Sequence, residues 1–104
     1  MKITLLTVGK IKEKYFTMAI DEYKKRLGRY CKLEIIEVAD EKTPDNASEH
    51  EEDIIRAKEG ERLTKYIKDG AYVISLAIQG KQYSSEEFAD KIDKLGINGV
   101  SHII

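Results

Sequence analysis

The apolar residues of this chain fall into short unbroken runs, and these alternate with stretches in helical register. Residues 3–8, 32–39, 72–78 and those from about 100 onward are rich in Ile, Val and Leu, the composition of strands buried on both faces. Between them the apolar positions change period. Phe16, Ala19, Ile20, Tyr23 and Leu27 follow helical spacing, as do Ile54, Ile55, Leu63, Tyr66 and Ile67, and then Phe88, Ala89, Ile92 and Leu95. The order β-α-β-α-β-α-β with continuous apolar strands predicts an α/β fold: a mostly parallel sheet with helices on both faces. Such sheets place their sites beyond the carboxyl ends of the strands.

Local signals set the boundaries. Gly9 ends the first strand, and a helix is expected from about Glu13 to Gly28, with Asp21–Lys25 and Glu22–Arg26 as favourable pairs one turn apart. Residues 40–47 hold the only proline and read as a loop. Ser48 and Glu51 form a capping-box pattern that opens a helix to about Lys68. Gly60 lies inside it at a cost of roughly 1 kcal/mol against alanine, which predicts a close approach of backbone or ligand. Residues 72–78 (YVISLAI) are the most apolar and are expected to be a central strand ending at Gln79–Gly80. Ser84 and Glu87 repeat the capping box before a helix that stops at Gly96, and the last strand starts near Val100 after a turn at Gly99. With no repeat and no linker, residues 1–104 are expected to form one α/β domain. The final run has no cap or polar tail after it, so a site built past that strand is expected to lie outside these 104 residues.

Several chemistries are excluded. Gly9-Lys10 follows a strand, but neither G-x-x-x-x-G-K-[ST] nor G-x-G-x-x-G occurs. His50 and His102 have no partners at metal-ligand spacing, so no metal site is expected. Ser101 and His102 point to opposite faces of a strand and cannot form a nucleophile–base pair. The acids Glu51, Glu52 and Asp53 are accounted for by the positive end of a helix dipole. The single cysteine, Cys31, excludes an internal disulfide and is expected to be a small buried apolar group. No apolar run is long enough to span a bilayer and no cleavable leader is evident, which predicts a cytoplasmic protein without membrane contact. The net charge of −1 announces no polyanion partner, but bases crowd the chain before residue 33 and acids dominate residues 40–69.

The segment Leu76-Ala77-Ile78-Gln79-Gly80 carries the remaining signal. A strand ending there offers main-chain hydrogen-bonding groups and apolar side chains, which suits a flat adenine-like ligand. An ordinary strand ending in a glycine turn has the same pattern.

Taken together, MKITLLTVGKIKEKY, DEYKKRLGRY, LEIIEVADEK, AKEGERL and VISLAIQGKQYSSEEFAD make the chain resemble the bacterial large-subunit ribosomal RNA pseudouridine methyltransferases of the RlmH family, in the SPOUT class. The resemblance covers essentially the whole chain, in order. It implies a SPOUT (α/β knot) methyltransferase-like fold cut before the knot. It also implies methylation, dependent on S-adenosylmethionine, of a pseudouridine in 23S ribosomal RNA by a homodimer. The pseudouridine ring nitrogen would attack the sulfonium methyl in line, with the enzyme supplying position. The family's cofactor contacts carry over to Leu76, with Ile78 and Gly80 as neighbours. Lys10, Lys12, Lys14, Arg26 and Arg29 are the candidate RNA phosphate contacts. The family's glycine-rich loop, knot and C-terminal tail have no counterpart here, so no catalytic residue is assigned. The alternative is a truncated, inactive fragment acting as a folding or interaction module, with its last strand open to pairing.

Overall fold

The computed structural model describes residues Met1–Ile104. Its elements are β1 (Lys2–Val8), α1 (Lys14–Leu27), β2 (Lys32–Val38), α2 (Glu49–Thr64), α3 (Ser85–Ile97) and β3 (His102–Ile103). The sheet order is β2-β1-β3, and every pairing is parallel. β1 and β2 run in register along their whole length, from Lys2 opposite Lys32 to Val8 opposite Val38. β3 meets β1 only at Lys2–His102 and Ile3–Ile103.

The most apolar run does not become the expected central strand. Tyr72 makes a single parallel bridge to Ile103, and the ladder consists of Tyr72 N–H to the His102 carbonyl (2.9 Å), Ile104 N–H to the Tyr72 carbonyl (2.9 Å) and Ile74 N–H to the Ile104 carbonyl (2.8 Å). Residues 75–78 have no strand beside them, and this segment occupies the outer position of the sheet. The inner place falls to His102–Ile103, which is paired on both sides. Extended apolar sequence is not sufficient for a strand, because the backbone must also find a ladder.

Helices lie on both faces. The groove beneath α1 joins Thr17 and Ile20 to Leu5, Thr7, Ile35 and Glu37 of the sheet. On the same face, Met1 and Ile3 line an apolar hollow of about 730 Å³ with Leu27, Ala89, Ile92 and Ile97. The other face packs α2 against β1 and β2, and Tyr66 and Lys68 border a hollow with Lys2, Thr4, Glu34 and His102. The buried Thr4 hydroxyl is 2.8 Å from His102 Nε2, tying the two ends of the chain together.

The cover is thin. Only Val38, Ile103 and Thr4 are buried, and the chain exposes 8724 Å². A compact monomer of 11.9 kDa exposes roughly 5,900 Å². The radius of gyration, 15.9 Å, also exceeds the roughly 13 Å of a compact domain this long. Of the stripe expected to bury α1, only Ile20 is partly covered, while Phe16, Tyr23 and Leu27 are exposed. Cys31 is half-buried rather than buried, with its thiol 3.7 Å from the Leu27 carbonyl.

The caps follow the sequence closely. In α3, Glu87 N–H donates to Ser84 Oγ and Ser84 N–H to Glu87 Oε1, both at 3.1 Å, completing the capping box. In α2, Glu51 N–H donates to Ser48 Oγ at 3.2 Å, but the Glu51 carboxylate meets the Ser48 hydroxyl instead of its amide. That helix ends at Thr64, short of Lys68. α3 runs through Gly96 to Ile97, and its stop is Gly99, whose φ of +95° only glycine adopts without strain. Gly60 has no steric reason to be glycine: a Cβ there would meet nothing within 4 Å.

Candidate functional site

Because all strands are parallel, their carboxyl ends share one edge of the sheet, and loops from three segments gather along it. After β1, Gly9 turns the chain with φ +83°, its amide held by the Val38 carbonyl at 2.9 Å. A Cβ on Gly9 would stand 4.0 Å from Asp40 Cβ, so backbone conformation rather than crowding calls for glycine. After β2, residues 39–41 are fastened to α2. Arg62 Nη1 donates to the Ala39 carbonyl (2.9 Å), Arg62 Nη2 pairs with the Glu41 carboxylate, and Glu41 N–H donates to Glu59 Oε2 (3.1 Å). Glu59 and Arg62 are three apart on one helix face, but their partners lie 18 to 23 residues away, so no local sequence signal marks this clasp.

The third segment holds the predicted cofactor contacts. Leu76 is 82% exposed and Ile78 fully exposed. The amides of residues 75–78 have no protein partner, and the next bond is Gly80 N–H to the Ala77 carbonyl, which closes a turn at 3.0 Å. A Cβ on Gly80 would lie 3.0 Å from that carbonyl oxygen, so the turn favours glycine by close approach. The segment thus presents free main-chain donors and acceptors beside two uncovered aliphatic side chains. With Ile78 fully exposed, these groups stand on an open surface.

The five predicted phosphate contacts are not brought together. Lys10, Lys12 and Lys14 flank the carboxyl edge where α1 begins, whereas Arg26 and Arg29 lie at the other end of α1. Twelve residues of helix separate Lys14 from Arg26 by roughly 18 Å. Arg26 is held by Glu22 at 3.0 Å, while Lys10, Lys12 and Lys14 form no ion pair. Lys10 borders a groove of about 530 Å³ between α1 and the sheet, with Gly9, Ile11 and Thr17.

Electrostatics elsewhere are local. Hydrogen bonds from the Ser84 backbone and side chain hold the Glu87 carboxyl below its usual range. Glu52 and Asp53, part of the acidic run after Ser48, are both engaged by Arg56. His50 is exposed, and no group of acids, histidines and cysteine is placed to hold a metal ion. No helix is long and apolar enough to cross a membrane.

The family model described as "Predicted SPOUT methyltransferase" matches residues 1–104. The chain is 66% identical over 103 residues to the Ribosomal RNA large subunit methyltransferase H of Bifidobacterium adolescentis. It is 60% identical to the protein of the same name from Clostridium beijerinckii and 56% to that of Clostridium kluyveri. Each alignment covers 99% of this chain and 65% of the relative, so the chain spans just under two thirds of these relatives' length.

Proposed function

The chain belongs to the SPOUT methyltransferase family, and from that premise we infer that it serves methylation of a pseudouridine in 23S ribosomal RNA, with S-adenosylmethionine as methyl donor. The observation that carries this reading is the family match over the full 104 residues, supported by relatives named for large-subunit ribosomal RNA methylation. S-adenosylmethionine, when bound, supplies a methyl group activated by its positively charged sulfur. Leu76 and Ile78 would cover the faces of its adenine, and the free amides of residues 75–78 with the carbonyls of Ser75, Leu76 and Ile78 would read the ring edge. Gly80 keeps the turn after them tight. The chain's own part is orientation: holding a ring nitrogen in line with the methyl carbon lowers the barrier by prepaid entropy. The nitrogen's proton would pass to water or a base as the carbon–sulfur bond breaks and the thioether leaves.

Lys10, Lys12 and Lys14 are the better phosphate contacts of the two groups, since they share the carboxyl edge with Leu76 and have no acidic partner. Arg26 and Arg29, at the far end of α1, would need RNA that reaches across the molecule. The hollow lined by Met1, Ile3, Leu27, Ile92 and Ile97 supports a homodimer, because an uncovered apolar surface gains most from a second chain.

The test is methyl transfer. The chain is incubated with S-adenosylmethionine labelled in the methyl group and with ribosomes lacking the modification, and label is sought in 23S RNA at a pseudouridine. Label in another RNA or another nucleotide, or none at all, overturns the assignment for this chain. Calorimetry with S-adenosylmethionine alone is expected to show weak binding, as an open surface allows; tight stoichiometric binding would show that residues 76–80 suffice.

A further inference from the structure

Resting on the methyl-transfer reading, we propose that Tyr15 and Phe16, with Lys10, Lys12 and Lys14, form a stacking platform for single-stranded ribosomal RNA. The two rings are in contact, with centroids 4.4 Å apart and planes tilted by 46°. They are nevertheless 65% and 51% exposed, although Phe16 belongs to the helical stripe that the sequence assigns to the core. The fold therefore makes little use of either ring. Exposed aromatic faces beside unpaired lysines are the combination that holds a nucleic-acid strand: the cations follow the phosphates and the rings take up bases, at roughly 1–3 kcal/mol per stacked base.

Charge complementarity selects this occupant. From Gly9 to Ile20 there are three lysines and one acid, Glu13. None of the three lysines makes an ion pair. The other helices begin differently, with Glu49, Glu51 and Glu52 in the first turn of α2 and Glu86 and Glu87 in that of α3. Tyr23, one turn or more further along α1, lies under Arg26, a cation already engaged by Glu22. Lys10 lines the groove at the carboxyl end of β1, and α1 begins at Lys14. The platform therefore lies at the carboxyl ends of the parallel strands, the edge toward which the Tyr72 segment also runs.

The experiment is fluorescence anisotropy of the full chain with a labelled 12-nucleotide single-stranded RNA at two salt concentrations. Tyr15→Ala and Phe16→Ala are each expected to raise Kd roughly five-fold or more. The triple variant Lys10→Gln, Lys12→Gln, Lys14→Gln is expected to flatten the logarithmic salt slope by about 2. Tyr66→Ala, on the opposite face, is expected to leave the affinity unchanged, and circular dichroism verifies that each variant is folded. Absence of RNA binding by the unmodified chain overturns the platform, as does full affinity in both aromatic variants. It is also overturned if sedimentation shows that these substitutions dissolve a dimer while RNA affinity stays constant. RNA binding that depends on Tyr15 and Phe16 without methyl transfer would uphold the platform and remove the enzymatic reading; methyl transfer with unaltered RNA affinity in the variants would do the reverse.

Discussion

The pair β1–β2 and the segment from Tyr72 to Gly80 start from similar material and end in different states. Both are short and apolar, yet the first is a seven-residue parallel ladder and the second touches the sheet only at residues 72–74. The difference lies in the partners. Every residue of β1 faces one in β2, whereas the Tyr72 segment bonds only to β3, through Tyr72 and Ile74. Hydrophobicity recruits a strand to a sheet, but backbone pairing decides how much of it stays.

The largest expected effect breaks this comparison at its joint. Ile103→Ala removes one of the few buried side chains and is expected to cost about 2–5 kcal/mol. Ile78→Ser, at a fully exposed position, is expected to leave the midpoint of urea unfolding where it was. Equal midpoints for the two variants would show that β3 does not hold the sheet together. Next in size, Arg62→Ala releases the clasp on residues 39–41 and is expected to cost roughly 1 kcal/mol, with faster proteolysis of the loop at 40–47. An unchanged cleavage rate would mean that the loop is held by something else.

Gly60→Ala is expected to act in the opposite direction, stabilising by about 1 kcal/mol and raising Tm by roughly 4–8 °C, since the added Cβ meets no neighbour. A lower Tm would reveal a contact at Gly60 that this chain by itself does not make. The smallest effect concerns Glu87. Its folded carboxyl titrates below the ordinary 4.5, so the stability it contributes is present above that pH and is lost as pH falls through the depressed folded value. Glu87→Gln is expected to remove this portion of the acid loss; an identical acid limb in wild type and variant would show that the Ser84 hydrogen bonds do not persist in solution.

What the sequence revealed sorts by range. The caps at Ser48 and Ser84 were legible because the whole interaction fits within four residues, and β1 and β2 because their partners are consecutive strands. The placement of residues 72–78 was not, since it depends on which strand arrives beside it from thirty residues away. The exposure of Phe16 and Tyr23 was likewise hidden: periodicity identifies an apolar face but not what covers it. For the site, the bases pooled by composition were divided by the length of α1. The Arg62–Glu41–Glu59 clasp spans about twenty residues and has no local signature.

The tie between Thr4 and His102 has a consequence for synthesis. The strand lying between β1 and Tyr72 is made after both of them, 98 residues beyond the hydroxyl it meets. A nascent chain can assemble β1, α1 and β2 as soon as they emerge, because those contacts are local. The middle of the sheet must stay open until β3 is released, and insertion between two waiting strands closes a loop of 98 residues. Such late, distant contacts slow folding and prolong the exposure of unpaired edges. On the ribosome, the seam between β1 and Tyr72 is therefore sewn only after both of its sides have emerged.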